Sequence, residues 1–433
     1  MIQIDKIIPG GQALATYEDG RKIFFWNALP GEIVTDYIIT KQKSHYLEAI
    51  ATTVEQPSPH RVTPHDDCYL STSPWQIINY PYELQLKQEL VVELFREHQI
   101  IIDTPEIFTD HHDYHYRNKM EYALYWDNNT NQISLAFHTR GSHRKIPITK
   151  SSIERPEIIE HATKIITDLN SHGEEARKYQ SLLLRCNQAG EVSGGLYENG
   201  RPHPIFPRLT DKILGHTYSY SPNGFFQINL PVYELALTEI KRHITTDHVL
   251  DLYAGVGTIG LSTARDHQLT LVECDWFAYD EMLRNITIED ISEPGKARIS
   301  AGHPWRRDGR TRVRNSNILS ATNKSNGRTR VRNGNILAIL DKSENALNYI
   351  EPAQTVILDP PRSGCDIKLI NKLNEIKPAK IIYLSCNPAT QARDIKLLLT
   401  NYSIDIIKTY NFFPHTPHIE NLAILSKNHS NFP

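Results

Sequence analysis

The stretch "DLYAGVGTIG" (residues 251–260) decides the fold. It continues the apolar run "HVL" and carries Gly255, Gly257 and Gly260 in the spacing GxGxxG. A strand, a glycine turn and a helix start, in that order, open a βαβ unit that binds a nucleotide. Glycines let the backbone pass close to a ligand, and a helix N-terminus adds positive potential. Glu273 ends the next strand-like run, "LTLVECD", where a carboxylate can accept two hydrogen bonds from ribose hydroxyls. Together these residues point to a nucleoside-bearing cofactor. They leave its identity open, because NAD and S-adenosylmethionine both need such a turn and such a carboxylate.

Downstream the pattern repeats. "TVILDPPR" is a strand followed by the helical "CDIKLINKLNEIK", and "KIIYLSCNP" is a strand followed by "ATQARDIKLLLT". Strands alternating with helices predict a parallel sheet covered on both faces. This α/β domain spans 220–433. Two strand ends carry chemistry. Asp359 is followed by Pro360 and Pro361, which fix their φ and stiffen a loop suited to grip a planar base beside a cofactor. Such a loop is of no use to a dehydrogenase, and no paired His/Asp or Tyr/Lys arrangement for hydride chemistry is visible. Cys386 stands where a strand gives way to Asn387-Pro388, the end of an α/β strand at which ligands are bound. Read alone it is either a small buried hydrophobe or a nucleophile.

The upstream half has a different texture. Residues 1–58 alternate apolar and polar residues in short runs, with turns at Gly10-Gly11, Asp19-Gly20 and Pro30-Gly31, which predicts a small β-barrel. "PSPHRVTPHDD" reads as a linker. Residues 75–215 open with a helical run, "YELQLKQELVVELFREHQI", and continue with strand-like pieces, giving a central, mostly antiparallel α+β domain. One internal repeat is present: "GRTRVRNSNIL" (309–319) recurs as "GRTRVRNGNIL" (327–337). Two copies are too few for a solenoid. A duplicated, arginine-rich surface insertion at about 303–334 is the reading taken.

Composition sets outer limits. The 433 residues are 39% hydrophobic and 22% charged with a net charge of −3, so binding to nucleic acid has to use a local basic surface. No apolar run reaches the length of a membrane span. The first residues, "MIQIDKIIPGG", lack the basic start and apolar core of a signal peptide. Five scattered cysteines argue for a reducing cytoplasm, and with no CxxC pair a cysteine-based zinc site is not expected, so no metal is assigned.

The chain resembles the RNA uracil-C5 methyltransferases, which make 5-methyluridine in tRNA and 23S rRNA. "IIPGGQALATYEDGRKIFFWNALPGEIV" is similar to the family's N-terminal TRAM domain, an OB-like RNA-binding barrel. "FFQIN" (225–229), "DLYAGVGTIGL", "LDPPRSG", "LSCNPAT" and "FFPHTPHIE" (412–420) resemble its signatures in their usual order. The resemblance implies a TRAM barrel, a central domain and a Rossmann-like class I methyltransferase domain. It implies Cys386 as nucleophile and Glu420 as general base, with S-adenosylmethionine held by Gln227, Tyr253, Thr258, Glu273 and Asp359. Asn335 is a further contact by the same resemblance, although its duplicate Asn317 competes for that assignment. Many members carry four cysteines for a [4Fe-4S] cluster. Here the equivalent stretch keeps only Cys68, and the later position, near "ITKSSI", has serines. One cysteine cannot ligate such a cluster, so no iron–sulfur cluster is expected.

The chemistry explains these residue types. Uracil C5 is a poor nucleophile until a thiolate adds to C6, and a base must later remove the C5 proton. Cys386 is therefore expected in surroundings that lower its pKa, with Arg362 or a loop amide helping. The target base must be flipped out of its stack. The TRAM barrel leans the substrate towards 23S rRNA over tRNA. The protein is expected to act as a cytoplasmic monomer. The competing readings are an RNA cytosine-C5 methyltransferase, an NAD-dependent oxidoreductase resting on GxGxxG alone, and a non-catalytic RNA-binding factor.

Overall fold

The chain is described by a computed structural model at residues 1–203, 206–288 and 329–428. The first copy of the arginine-rich repeat, with Asn317, lies outside the described residues.

Six strands within residues 2–56 form one sheet in the order Ile2–Gln3, Ile33–Gln42, Tyr46–Gln56, Lys22–Trp26, Ala13–Thr16, Lys6–Ile7. The two outermost pieces are consecutive parts of one segment, and each pairs with a different neighbour. The sheet therefore closes on itself as a barrel, which removes exposed edges. Alternation puts Ile23, Phe25, Leu47 and Ala49 in its core.

A second sheet is antiparallel throughout, in the order Lys145–Pro147, Gln132–His138, Lys119–Asp127, Tyr179–Cys186, Val192–Glu198, Arg201–His203. The helix Pro156–Ser171 covers it, burying Ile158, Ala162 and Leu169 in the same core as Tyr122, Leu182 and Leu184.

The third sheet has nine strands: Thr329–Asn333, Ile336–Leu340, Gln268–Glu273, His248–Leu252, Gln354–Leu358, Lys380–Ser385, Glu420–Lys427, Tyr402–Tyr410 and Glu106–Phe108. The five strands from Ile336–Leu340 to Lys380–Ser385 run parallel, and Glu420–Lys427 is inserted antiparallel between its neighbours. Strand order reverses between His248–Leu252 and Gln354–Leu358. That is where an open α/β sheet leaves a ligand crevice at its carboxyl edge. Both faces are covered, so the central strands are mostly apolar, with Asp251 a buried exception.

The chain is divided differently from the expected 75–215 central domain. The helix Tyr80–Glu97 packs into the core shared by the barrel and one face of the nine-stranded sheet, and Glu106–Phe108 pairs at that sheet's edge. Composition cannot reveal such long-range pairing. Residues 329–337 of the second repeat copy also depart from the surface-loop expectation, since most of them build an edge hairpin with Val331 opposite Ala338.

Two polar knots join these parts. In the first, Asp66 accepts hydrogen bonds from the Ser152 amide (2.9 Å) and hydroxyl (2.6 Å) and from the Gln76 amide (2.9 Å). This ties the segment around Cys68 to the end of the second sheet. In the second, Lys87 and Glu83 are one helical turn apart and fully buried, with Nζ 2.8 Å from Oε1. Lys87 also donates to Asn411 Oδ1 (2.7 Å) and the Phe413 carbonyl (3.1 Å), while Glu83 accepts from the His415 amide (2.9 Å). Among the described residues no helix is long and apolar enough to cross a membrane.

Removing one partner of a buried pair leaves the other charge uncompensated. Lys87→Ala is expected to lower stability by about 3–5 kcal/mol in urea unfolding. Lys372→Ala, whose partner Glu375 is exposed, is expected to change it by less than about 1 kcal/mol.

Candidate active site

The glycine turn shows a division of labour. Gly255, at φ 56°, faces open space, with nothing within 4 Å of where a Cβ would stand. Gly257, at φ 86°, precedes the short helix Thr258–Thr263, and a Cβ there would meet Leu261 at 2.9 Å. Gly260 lies against the sheet, where a Cβ would be 2.6 Å from Leu271. One glycine leaves room for a ligand, one makes the turn and one allows helix and sheet to approach.

Acidic groups frame this turn. Glu273 accepts from the amides of Gly255 (2.8 Å), Cys274 (2.7 Å) and Asp275 (2.6 Å), so it locks the turn to the end of the neighbouring strand. Asp251 accepts from the Gly260 amide (2.8 Å), and its other carboxyl oxygen is buried without a hydrogen-bond partner. Burial, with Asp359 and Glu273 nearby, pushes Asp251 up to about 8. Burial pushes Asp359 up to about 7. Three carboxyl groups beside an open glycine turn suit a cationic ligand, whose arrival favours their ionisation, over the pyrophosphate of a dinucleotide, whose charge gains nothing from them.

The reacting groups converge at the adjoining strand ends. Ser385 is the last residue of its strand to pair, opposite Asn421. The next positions in that register, Cys386 and Glu420, are therefore neighbours at the mouth of the crevice. Asp359 leaves the adjacent parallel strand just after Leu358, which pairs with Tyr383. Glu420 is buried, and burial and then Asp359 raise its pKa well above the usual carboxylate range, against the pull of Arg362.

The loop bearing Arg362 is laced to the loop bearing Cys386. Asn387 Nδ2 and Thr390 Oγ1 both donate to the Arg362 carbonyl, at 2.8 and 3.2 Å, and Arg393 donates to that of Ser363 (3.0 Å). Asn387 also caps the helix Pro388–Leu398, accepting from the Ala389 amide (3.3 Å), with Pro388 at its first turn. Gly364, at φ 80°, lets the proline-stiffened loop close against Arg393 and Asp394.

Cys386 departs from expectation. Burial, Glu420 and Asp359 push its thiol up to about 11, and the nearby Arg362 guanidinium pulls the other way. The free protein holds a thiol there, since a thiolate is costly beside carboxyl groups in a desolvated crevice.

The other expected residues divide. Gln227 lies in the segment before the helix Leu230–His243; Asn118 of the second sheet donates to its carbonyl (3.0 Å). Arg185, itself buried, donates to the neighbouring Phe226 carbonyl (2.9 Å). Thr258 is the first residue of the short helix. Tyr253, at φ 65°, lines a cavity of about 590 Å³ together with Pro361, Ser363 and Cys365. Asn335 is not in this group. Its side chain donates to the carbonyls of Arg265 (2.7 Å) and His267 at the amino end of the parallel strands. The five residues of Ile336–Leu340 separate it from the carboxyl edge, roughly 16 Å at strand rise. Asn118, Arg185 and Asn387 carry no signal a single sequence displays as site residues, because each acts across long sequence separations. Among the described residues no group of three or more His, Cys, Asp and Glu is placed to hold a metal.

Residues 316–428 match the family model described as tRNA (uracil-5-)-methyltransferase. An uncharacterized RNA methyltransferase of Lactobacillus johnsonii is 26% identical, over 99% of this chain and 97% of that protein. One from Synechocystis is 25% identical, over 96% and 93%. Over residues 316–428 the chain resembles the RNA (uracil-5-)-methyltransferase family, and along its length it is similar to RNA methyltransferases. It is an RNA methyltransferase. The solved structure of the Pyrococcus abyssi tRNA (uracil-54, C5)-methyltransferase, in complex with S-adenosyl-L-homocysteine, has the same fold. Its TM-score is 0.67 at 22% identity, covering 98% of this chain and all of that one.

Glu273→Gln is expected to weaken S-adenosylhomocysteine binding by roughly 10- to 100-fold in calorimetry, the size of a lost charge-assisted hydrogen bond. Asn335→Ala is expected to leave that affinity unchanged while lowering the melting temperature.

Proposed function

We propose that this protein methylates C5 of a uracil in structured RNA, through a covalent adduct between Cys386 and C6 of the base. The observation that carries the reading is the convergence of Cys386, Glu420, Asp359 and Arg362 beside an acid-framed glycine turn. S-adenosylmethionine, when bound, supplies an electrophilic methyl group, and its sulfonium and ammonium charges match the carboxyl groups of Asp251, Glu273 and Asp359.

The Cys386 thiolate adds to C6, and the electron pair of the C5–C6 double bond moves to C5 and O4. C5 then accepts the methyl group and becomes tetrahedral, holding both the methyl and its original proton. The Glu420 carboxylate takes that proton, the double bond re-forms, and the Cys386–C6 bond breaks to return the thiolate. One nucleophile and one base are sufficient. Arg362 favours the charged form of both groups, the thiolate and the carboxylate.

The closed N-terminal barrel and the second sheet bind the RNA flanking the target, through phosphates, stacking and shape. The first reading of the substrate is 23S rRNA, which the TRAM-like barrel favours. A second reading, uridine in tRNA, is favoured by the description of the matching family model. The protein works as a cytoplasmic monomer.

Incubation with S-adenosylmethionine and 5-fluorouridine-substituted RNA, as 23S fragments and as tRNA transcripts, tests both readings. A band that persists on denaturing gels and is lost in Cys386→Ala is expected with one of them. No adduct with either RNA, beside normal S-adenosylhomocysteine binding, would overturn the covalent reading. Glu420→Gln is expected to accumulate the methylated adduct on ordinary uridine RNA, with turnover lowered roughly 10²- to 10⁴-fold.

Both groups act deprotonated, and both are shifted upward. The single-turnover rate is therefore expected to climb with pH through neutrality, towards tenfold per pH unit while the thiolate is scarce. A rate that declines over the same range counts against Cys386 and Glu420 in these roles.

A further inference from the structure

His418 lies two residues before Glu420 and is assigned no role above. Its Nδ1 is 2.7 Å from Nη2 of Arg362. An arginine only donates, so Nδ1 is the acceptor, and the ring is neutral with its proton on Nε2. Desolvation in the crevice, and the cations of Arg362, Lys87, Arg117 and Arg140, push His418 down to about 4, which keeps it neutral at working pH. The ring is braced edge-on by Phe413, with centroids 5.7 Å apart. The His418 amide donates to Thr416 Oγ1 (3.3 Å). The loop holding it is pinned in turn by Glu83, Lys87 and Tyr116, the last donating to the Pro414 carbonyl (3.0 Å).

Arg362 is otherwise an exposed side chain. Its carbonyl is held by Asn387 and Thr390, which fixes the backbone and leaves the long side chain free to turn. A free arginine side chain samples many rotamers, which an acceptor must narrow to aim it. Burial, Glu420 and Asp359 oppose the ionisation of Cys386, and this guanidinium is the group that works in its favour, so its placing bears on how readily the thiol becomes a thiolate.

We propose that His418 is a positioning residue that holds the Arg362 guanidinium against the Cys386 sulfur. The proposal rests on the reading of Cys386 as nucleophile. It also gives the histidine in "HTPHIE" a reason to be near the general base: one loop delivers Glu420 and the group that aims Arg362. His418 touches neither the base nor the cofactor in this assignment and acts only through Arg362.

The experiment measures iodoacetamide alkylation of Cys386 against pH, followed by peptide mass spectrometry, in wild type, His418→Ala, His418→Asn, Arg362→Lys and Cys386→Ala. His418→Ala is expected to move the alkylation profile to higher pH and to lower single-turnover methylation about tenfold, the effect of losing one charge-assisted contact. RNA KM and S-adenosylhomocysteine affinity are expected to stay at wild-type values. Asn places an acceptor near the position of Nδ1, so His418→Asn is expected to restore most of the profile. A wild-type profile in His418→Ala overturns the proposal, and so does an Asn variant that behaves like Ala. Should the alanine variant fail to fold, the Asn and Arg362→Lys profiles still decide it. Methylation that survives in Cys386→Ala would instead remove the covalent reading, a result separate from any shift caused at His418.

Discussion

The buried pair between Lys87 and Glu83 is the constraint on which the reactive geometry depends. A helix that belongs with the barrel carries both charges, yet their remaining hydrogen bonds go to residues 411–415 of the last hairpin loop. Trp75 adds its backbone amide to the His415 carbonyl (3.0 Å) and its indole N–H to the Gly11 carbonyl (3.0 Å). Barrel, linker, helix and hairpin loop therefore share one polar seam. A pair buried this deeply is costly to desolvate and adds little net stability, but breaking it is worse than never having it. Its consequence here is positional. The loop runs directly into His418 and Glu420, so the proposed general base is held by residues some 330 positions earlier in the chain.

A second constraint is the density of carboxyl groups. Asp251, Asp359 and Glu420 are all displaced upward, each mainly by desolvation, with the neighbouring carboxyl groups adding to it at Asp251 and Glu420. The same field holds Cys386 as a thiol. A site assembled this way rests in a neutral, protonated state and has few charges to desolvate while empty. Charge enters with the reactants, which is when it does work. Arg362 is the cation that offsets the field at Cys386, and for that reason its aim matters more than its mere presence.

Much of this was legible in the sequence, for identifiable reasons. The glycine spacing at 255, 257 and 260, the Asp-Pro-Pro loop and the Ser-Cys-Asn-Pro stretch report local backbone requirements, and each is met by the conformation found at that place. The short runs before residue 58 likewise betray a barrel, because alternation and turns are local. What stayed hidden depends on pairing across long separations. The helix Tyr80–Glu97 looked like the start of a central domain because its amphipathic pattern records that one face is buried, without recording against what. Asn335 was misplaced because "GNIL" announces a turn before a strand, and only the parallel register of that strand with Gln268–Glu273 shows at which end of the sheet the turn lies. The local motif around Cys386 was readable, yet the electrostatic state of its thiol was not, since it depends on Asp359 and Glu420 arriving from two other strands. The bond between His418 and Arg362 has the same character. Each belongs to a recognisable stretch, but 56 residues separate them, and only the insertion of the Glu420 strand beside the Cys386 strand brings the imidazole to the guanidinium.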